Sequence, residues 1–292
     1  PGPMPTPPVV PRIWPTLVVA LGVIPVAAMM STVAIVIALF VGGNVDALTG
    51  GGEGMMQWLG EFVATPLGFA VIIAPGQLVF AAAAIVPAIL SPRPAYQRLG
   101  LGRGRLPLWT FPVLMLATPL VGLLGYFLLL PMTDEPSEQL EFIYGMFTKP
   151  TGVFAVVVVV SLSVVPGFVE ESLFRGYIQR RLLKRWPPIA AIGFTSFLFA
   201  AAHIDPHHFL MVLPIGVWLG IVAWRSGSIW PAILCHFFLN LVGVLNARLS
   251  GDSADMQFTF DAPTIVGLAA TGLAFIVSVF VLVRYSNRAP LP

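Results

Sequence analysis

Apolar residues run along this chain in long blocks, and the short segments between them hold nearly all of the charge. Residues 15–41 contain no ionisable side chain, 151–169 are dominated by Val with Phe, Leu and Ala, and 262–283 have the same character. A hydrocarbon layer about 30 Å thick is crossed by roughly 20 apolar residues in a helix. The pattern therefore predicts an all-α, polytopic transmembrane helical bundle. Eight spans are expected, at about 15–42, 62–90, 108–132, 151–178, 187–204, 207–224, 228–247 and 262–284. Spans five and six are separated only by Ile204–His207, a tight turn carrying Asp205 and Pro206. Residues 1–14 are expected to be a disordered, Pro-rich lead-in, and 15–292 a single transmembrane domain. The first apolar run is too long for a cleavable signal peptide and has no small-residue cleavage site, so it reads as a true span.

Charge placement orients this bundle. Cytoplasmic loops are enriched in Lys and Arg. With the N-terminus inside, twelve of the fifteen basic residues fall on the inner side; Lys149 and Arg248 fall outside, and Arg175 lies within a span. Every acidic residue except Glu170 and Glu171 falls outside or at the outer edge. An even number of spans with both termini cytoplasmic follows. Composition adds little beyond this. Apolar residues make up 57% of the chain and charged residues 10%. The small net charge of +2 gives no support to nucleic-acid binding. A single cysteine, Cys235, rules out an intramolecular disulfide.

Ionisable groups at membrane depth cost at least about 2.5–3.5 kcal/mol each and mark functional positions. Here they are Glu170, Glu171 and Arg175 in span four and His203 in span five, with His236 beside the polar Asn240 in span seven. At a rise of about 1.5 Å per residue, Glu170 lies about 15 Å inward of Arg180, His236 about 12 Å and Asn240 about 18 Å inward of Ser228, and His203 about 24 Å along its helix. These depths permit one shared polar cavity. His236 and Asn240, four apart, share a helix face, and Glu171 can pair with Arg175. The same residues also suit an internal ion pair, interhelical hydrogen bonding or proton-coupled transport. Cys235 reads as inert packing. His207 and His208 read as interfacial polar residues, and Trp186, Trp218, Trp224 and Trp230 as interfacial anchors.

The polar residues also form ordered motifs. Glu170-Glu171-Ser172-Leu173-Phe174-Arg175 reads as EExxxR, Phe199-Ala200-Ala201-Ala202-His203 as FxxxH, and His236-Phe237-Phe238-Leu239-Asn240 as HxxxN. In that order and on separate spans, with Gly176 after the arginine, they resemble the CPBP family of CAAX proteases and bacteriocin-processing enzymes. The resemblance covers residues 150–247, about a third of the chain.

The resemblance implies an intramembrane endopeptidase with an eight-helix fold, acting on a membrane-associated or lipidated peptide. By the family's pattern Glu170 and His203 activate water, His236 and Asn240 stabilise the oxyanion, and Glu171, Arg175 and Phe199 support the site. Peptide hydrolysis needs these parts: a base, a proton carrier and preorganised oxyanion donors. No cofactor is expected. The alternative is a catalytic zinc on Glu170, His203 and His236, a His₂Glu set without an HExxH motif. A non-enzymatic membrane factor, such as a self-immunity protein or scaffold, and a proton-coupled transporter are the competing readings. The expected partners are the lipid bilayer and a peptide or protein substrate. The Ala/Val/Gly/Pro-rich composition and short loops point to a bacterial cytoplasmic membrane.

Overall fold

A computed structural model describes residues 12–129, 138–250 and 262–285. Arg288, Asp134, Glu135, Asp252, Asp255, Asp261 and residues 1–11 of the expected lead-in lie outside the described residues. Among the described residues there is no strand, and the principal elements are eight helices. They are α1 (Trp14–Val41), α2 (Pro66–Ile89), α3 (Thr110–Leu129), α4 (Gly152–Glu171), α5 (Pro188–Ala201), α6 (Pro206–Ser226), α7 (Trp230–Ser250) and α8 (Ala262–Tyr285). Among the described residues, seven segments are long and apolar enough to cross a membrane, α4 doing so together with its continuation to Leu182.

The fifth expected span is the exception. Helix α5 has 14 residues, about 21 Å of helix, and ends before His203. Its stop is written at the next proline. Asp205 takes the extended backbone typical of a residue before proline and caps α6, accepting from His208 N–H at 2.8 Å. His203 thus sits in a turn and not on a helix.

The bundle is inside-out relative to a soluble protein. Val156, Val157, Val160 and Val164 of α4 and Val33, Ile37 and Phe40 of α1 point outward, as lipid-facing side chains do. The interior is built from α3, α6 and α7, which pack on one another, with α4 against α7, α5 against α6, α8 against α3 and α1 against α2. Trp218 belongs to this interior. It is 5% exposed and donates its indole N–H to Thr118 Oγ1 at 3.1 Å, so it is a core residue and not an interfacial anchor. Cys235 is fully buried.

Basic residues gather at one end of the bundle. Arg93, Arg98, Arg105, Arg180, Arg181 and Lys184 border one cavity there. At the other end, Arg248 donates to the carbonyls of Phe147 and Pro150 at 2.6 and 3.0 Å. That end also carries the short helices Gly51–Phe62 and Glu138–Thr148.

Candidate active site

Helix α4 runs directly into a π-helix, Ser172–Gln179, every residue of which is buried. Such wide turns are rare and cluster at functional positions. The two glutamates stand at the junction and diverge. Glu170, 8% exposed, turns toward α2, where Gln77 Nε2 donates to its Oε1 at 3.0 Å. Glu171, fully buried, turns inward. Its Oε1 accepts from Arg175 Nη1 at 2.6 Å and meets His236 Nδ1 at 3.0 Å.

Arg175 makes further contacts, although its Nε has no hydrogen-bond partner among the described residues. Its Nη2 donates to the Gly216 carbonyl at 2.9 Å, and its guanidinium lies 4.4 Å from the centre of the Phe199 ring. One turn on, Gln179 Nε2 donates to the Gly220 carbonyl at 2.9 Å. Two residues four apart on the π segment therefore pair with two glycines four apart on α6. The glycines make this approach possible. A Cβ on Gly220 would lie 2.9 Å from Gln179 Oε1, and one on Gly216 would lie 3.2 Å from Phe199. The Gly-x-x-x-Gly spacing at 216 and 220 is the sequence signal for this close packing.

His203 is placed by a strained turn. Ile204 has φ +65°, a region that β-branched residues seldom enter, and Asp205 N–H donates to the His203 carbonyl at 2.7 Å. Three-residue turns of this positive-φ kind are rare, and such strain concentrates at functional sites. The His203 Nδ1 lies 3.0 Å from the Phe199 carbonyl. A carbonyl can only accept, so Nδ1 carries the hydrogen, and in the neutral ring Nε2 is left able to take a proton. His208 packs against the His203 ring edge-on, with ring centres 4.4 Å apart. His208, in the first turn of α6 and not in the turn before it, is thus a neighbour of the site.

Phe199 is the hub that brings these groups together. Its ring lies 5.3 Å from that of His203, 5.6 Å from His236 and 5.5 Å from Phe174. Asn240 sits one turn beyond His236 and donates its amide to the Leu162 carbonyl at 3.2 Å.

The structure therefore joins Glu171, Arg175, Phe199, His203 and His236 in one contact network, with Glu170 bonded toward α2 and Asn240, on α7, bonded to α4. Among the described residues, no group of three or more His, Cys, Asp or Glu side chains is arranged to hold a metal ion. Gln77 is the partner that sequence reasoning missed. It lies in the mostly apolar second span, 93 positions before Glu170, and its only signal is an amide in otherwise apolar surroundings.

Three comparisons with known proteins bear on this arrangement. A family model described as type II CAAX prenyl endopeptidase, Rce1-like, matches residues 152–242, the stretch that carries all three motifs. No curated protein and no solved structure matches the chain.

Proposed function

We propose, for a chain whose residues 152–242 belong to the Rce1-like type II CAAX prenyl endopeptidase family, that it hydrolyses a peptide bond of a membrane-associated or lipidated substrate inside the bilayer. One observation carries the reading: two imidazoles, His203 and His236, meet on the Phe199 ring, with His236 bonded to Glu171, the sequence neighbour of a Glu170 that Gln77 orients.

In this reading Glu170 takes a proton from water, and the hydroxide oxygen attacks the scissile carbonyl carbon. His203, with Nδ1–H committed to Phe199, offers Nε2 to relay that proton to the leaving amine as the C–N bond breaks. The oxyanion is met by His236 and Asn240. Glu171 occupies His236 Nδ1, so Nε2 can donate to the oxyanion only when the ring carries both hydrogens. Asn240 has two amide hydrogens, one of which serves Leu162. No step requires a metal ion. The apolar surroundings of the bundle suit a substrate that arrives with a lipid or membrane anchor, and a bacterial cytoplasmic membrane remains the proposed location.

The test is cleavage of prenylated and unprenylated peptides by purified protein in proteoliposomes. The Glu170→Ala variant should be folded and inactive; equal cleavage by both proteins removes Glu170 from the reaction.

A non-enzymatic scaffold is the second reading, and the ties Glu171–His236 and Asn240–Leu162 favour it, because each joins two helices of the bundle without needing a substrate. It predicts that Glu170→Ala retains the cellular phenotype.

A further inference from the structure

The cavity at the basic end has no part in the proposed reaction. Its volume is about 340 Å³, at the lower end of the range of about 300–1,000 Å³ seen for small-molecule sites. Six cationic side chains from three stretches of chain border it: Arg93 and Arg98 around the short helix Ala95–Leu99, Arg105 on the loop before α3, and Arg180, Arg181 and Lys184 beyond the π-helix. No acidic side chain is among its described lining residues.

A cytoplasmic rim rich in Lys and Arg is general in membrane proteins. Here, however, the backbone gathers the charges into a concavity. Arg105 N–H donates to the Ser226 carbonyl at 2.7 Å, Ile229 N–H to the Gly100 carbonyl at 2.9 Å, and Ser228 Oγ to the Gly102 carbonyl at 2.5 Å. These bonds lace the loop before α3 to the α6–α7 turn. Arg180 donates to the carbonyls of Gly227 and Gln97 at 3.2 and 3.5 Å. It crosses the space above Gly100, which has φ +77° and where a Cβ would collide with the guanidinium.

The crowding is electrostatically uncompensated. Burial first, then Arg93, Arg98, Arg181 and Arg180, hold the Lys184 ammonium below the usual lysine range. Burial and then Arg181 act on Arg98 in the same direction. Arg105 Nε is buried and has no hydrogen-bond partner among the described residues. Like charges held together with an unused guanidinium donor are what an anion would satisfy. A tetrahedral oxyanion matches the forked donors of arginine.

We propose that this cavity binds a phosphate group, carried either by the headgroup of an anionic phospholipid or by a soluble phosphate. The proposal is independent of whether the chain cleaves peptides. It is tested on the full chain purified in a neutral detergent, by thermal melting against added phosphatidylglycerol, phosphatidylcholine and inorganic phosphate at constant ionic strength.

Phosphatidylglycerol or inorganic phosphate should raise the melting temperature saturably, and phosphatidylcholine should not. A response to phosphatidylglycerol alone identifies the lipid headgroup, and a response to inorganic phosphate the soluble source. The Arg98→Gln/Lys184→Gln variant loses two charge-assisted contacts and should bind at least about tenfold more weakly. Arg103→Gln/Arg284→Gln removes the same charge from outside the cavity and should stay within about twofold. Arg93→Gln/Arg181→Gln repeats the first test at separate positions if the first variant does not fold. Absence of any shift in the wild type, or equal weakening by the cavity and control variants, overturns the proposal.

Discussion

Asn240 donates its amide to the carbonyl of Leu162, the residue four positions before Pro166. Proline has no N–H, so Leu162 loses its helical partner, and α7 supplies a replacement. Losing that donor should cost about 1–3 kcal/mol. Asn240→Ala should therefore lower the melting temperature, and adding Pro166→Ala should restore much of it by returning the helical bond. If Asn240 also serves the oxyanion, cleavage by the double variant stays about 10²–10³-fold down. Full recovery of both stability and cleavage would leave Asn240 a purely structural role.

The Gln77–Glu170 bond makes a separate prediction from outside the family-matched segment. A hydrogen bond to a carboxylate contributes about 1.5–3 kcal/mol. Gln77→Ala should thus slow cleavage by about 10–100-fold and lower the melting temperature. A wild-type rate in this variant would show that Glu170 is positioned without Gln77.

Glu171 and Arg175 are both fully buried. Removing one member of such a pair strands a charge and costs about 3–5 kcal/mol. Glu171→Ala and Arg175→Ala should each melt well below the wild type, while Glu171→Leu/Arg175→Met should recover part of the loss. If the two single variants melt like the wild type, this pair does not hold the π segment in place.

Gly220 faces Gln179 Oε1 and Ile192, each 2.9 Å from the position a Cβ would take. Gly220→Leu should cost about 1–3 kcal/mol by overpacking and should push the π segment off α6. Limited proteolysis and thermal melting would report this. An unchanged melting curve would mean that α6 can shift at no cost.

Treatment with a strong chelator should leave peptide cleavage unchanged, because the proposed chemistry uses only carboxylate, imidazole and amide groups. Loss of activity that zinc alone restores would replace the Glu170–His203 assignment with metal catalysis on Glu170, His203 and His236.

The alternation of apolar blocks and charged loops determined the all-helical membrane bundle and seven of the eight expected spans, because a hydrocarbon layer fixes the length and composition of whatever crosses it. It also singled out the ionisable residues, since a charge is conspicuous where none is expected. The spacing of Glu171 and Arg175 was enough to anticipate their pairing, a local contact between successive turns. The sequence further held the stop of α5, in Asp205 and Pro206, although apolar length suggested a longer span.

Contacts between distant parts of the chain had no such signature. Only the packed helices bring Gln77 to Glu170, place His236 on Glu171 and not on Glu170, and bury Trp218 against Thr118. Only they turn scattered arginines into one cavity. Periodicity specifies which face of a helix is apolar, but the partner a buried polar group finds depends on the rotation and depth at which helices meet, and those are set by the packing of all of them together.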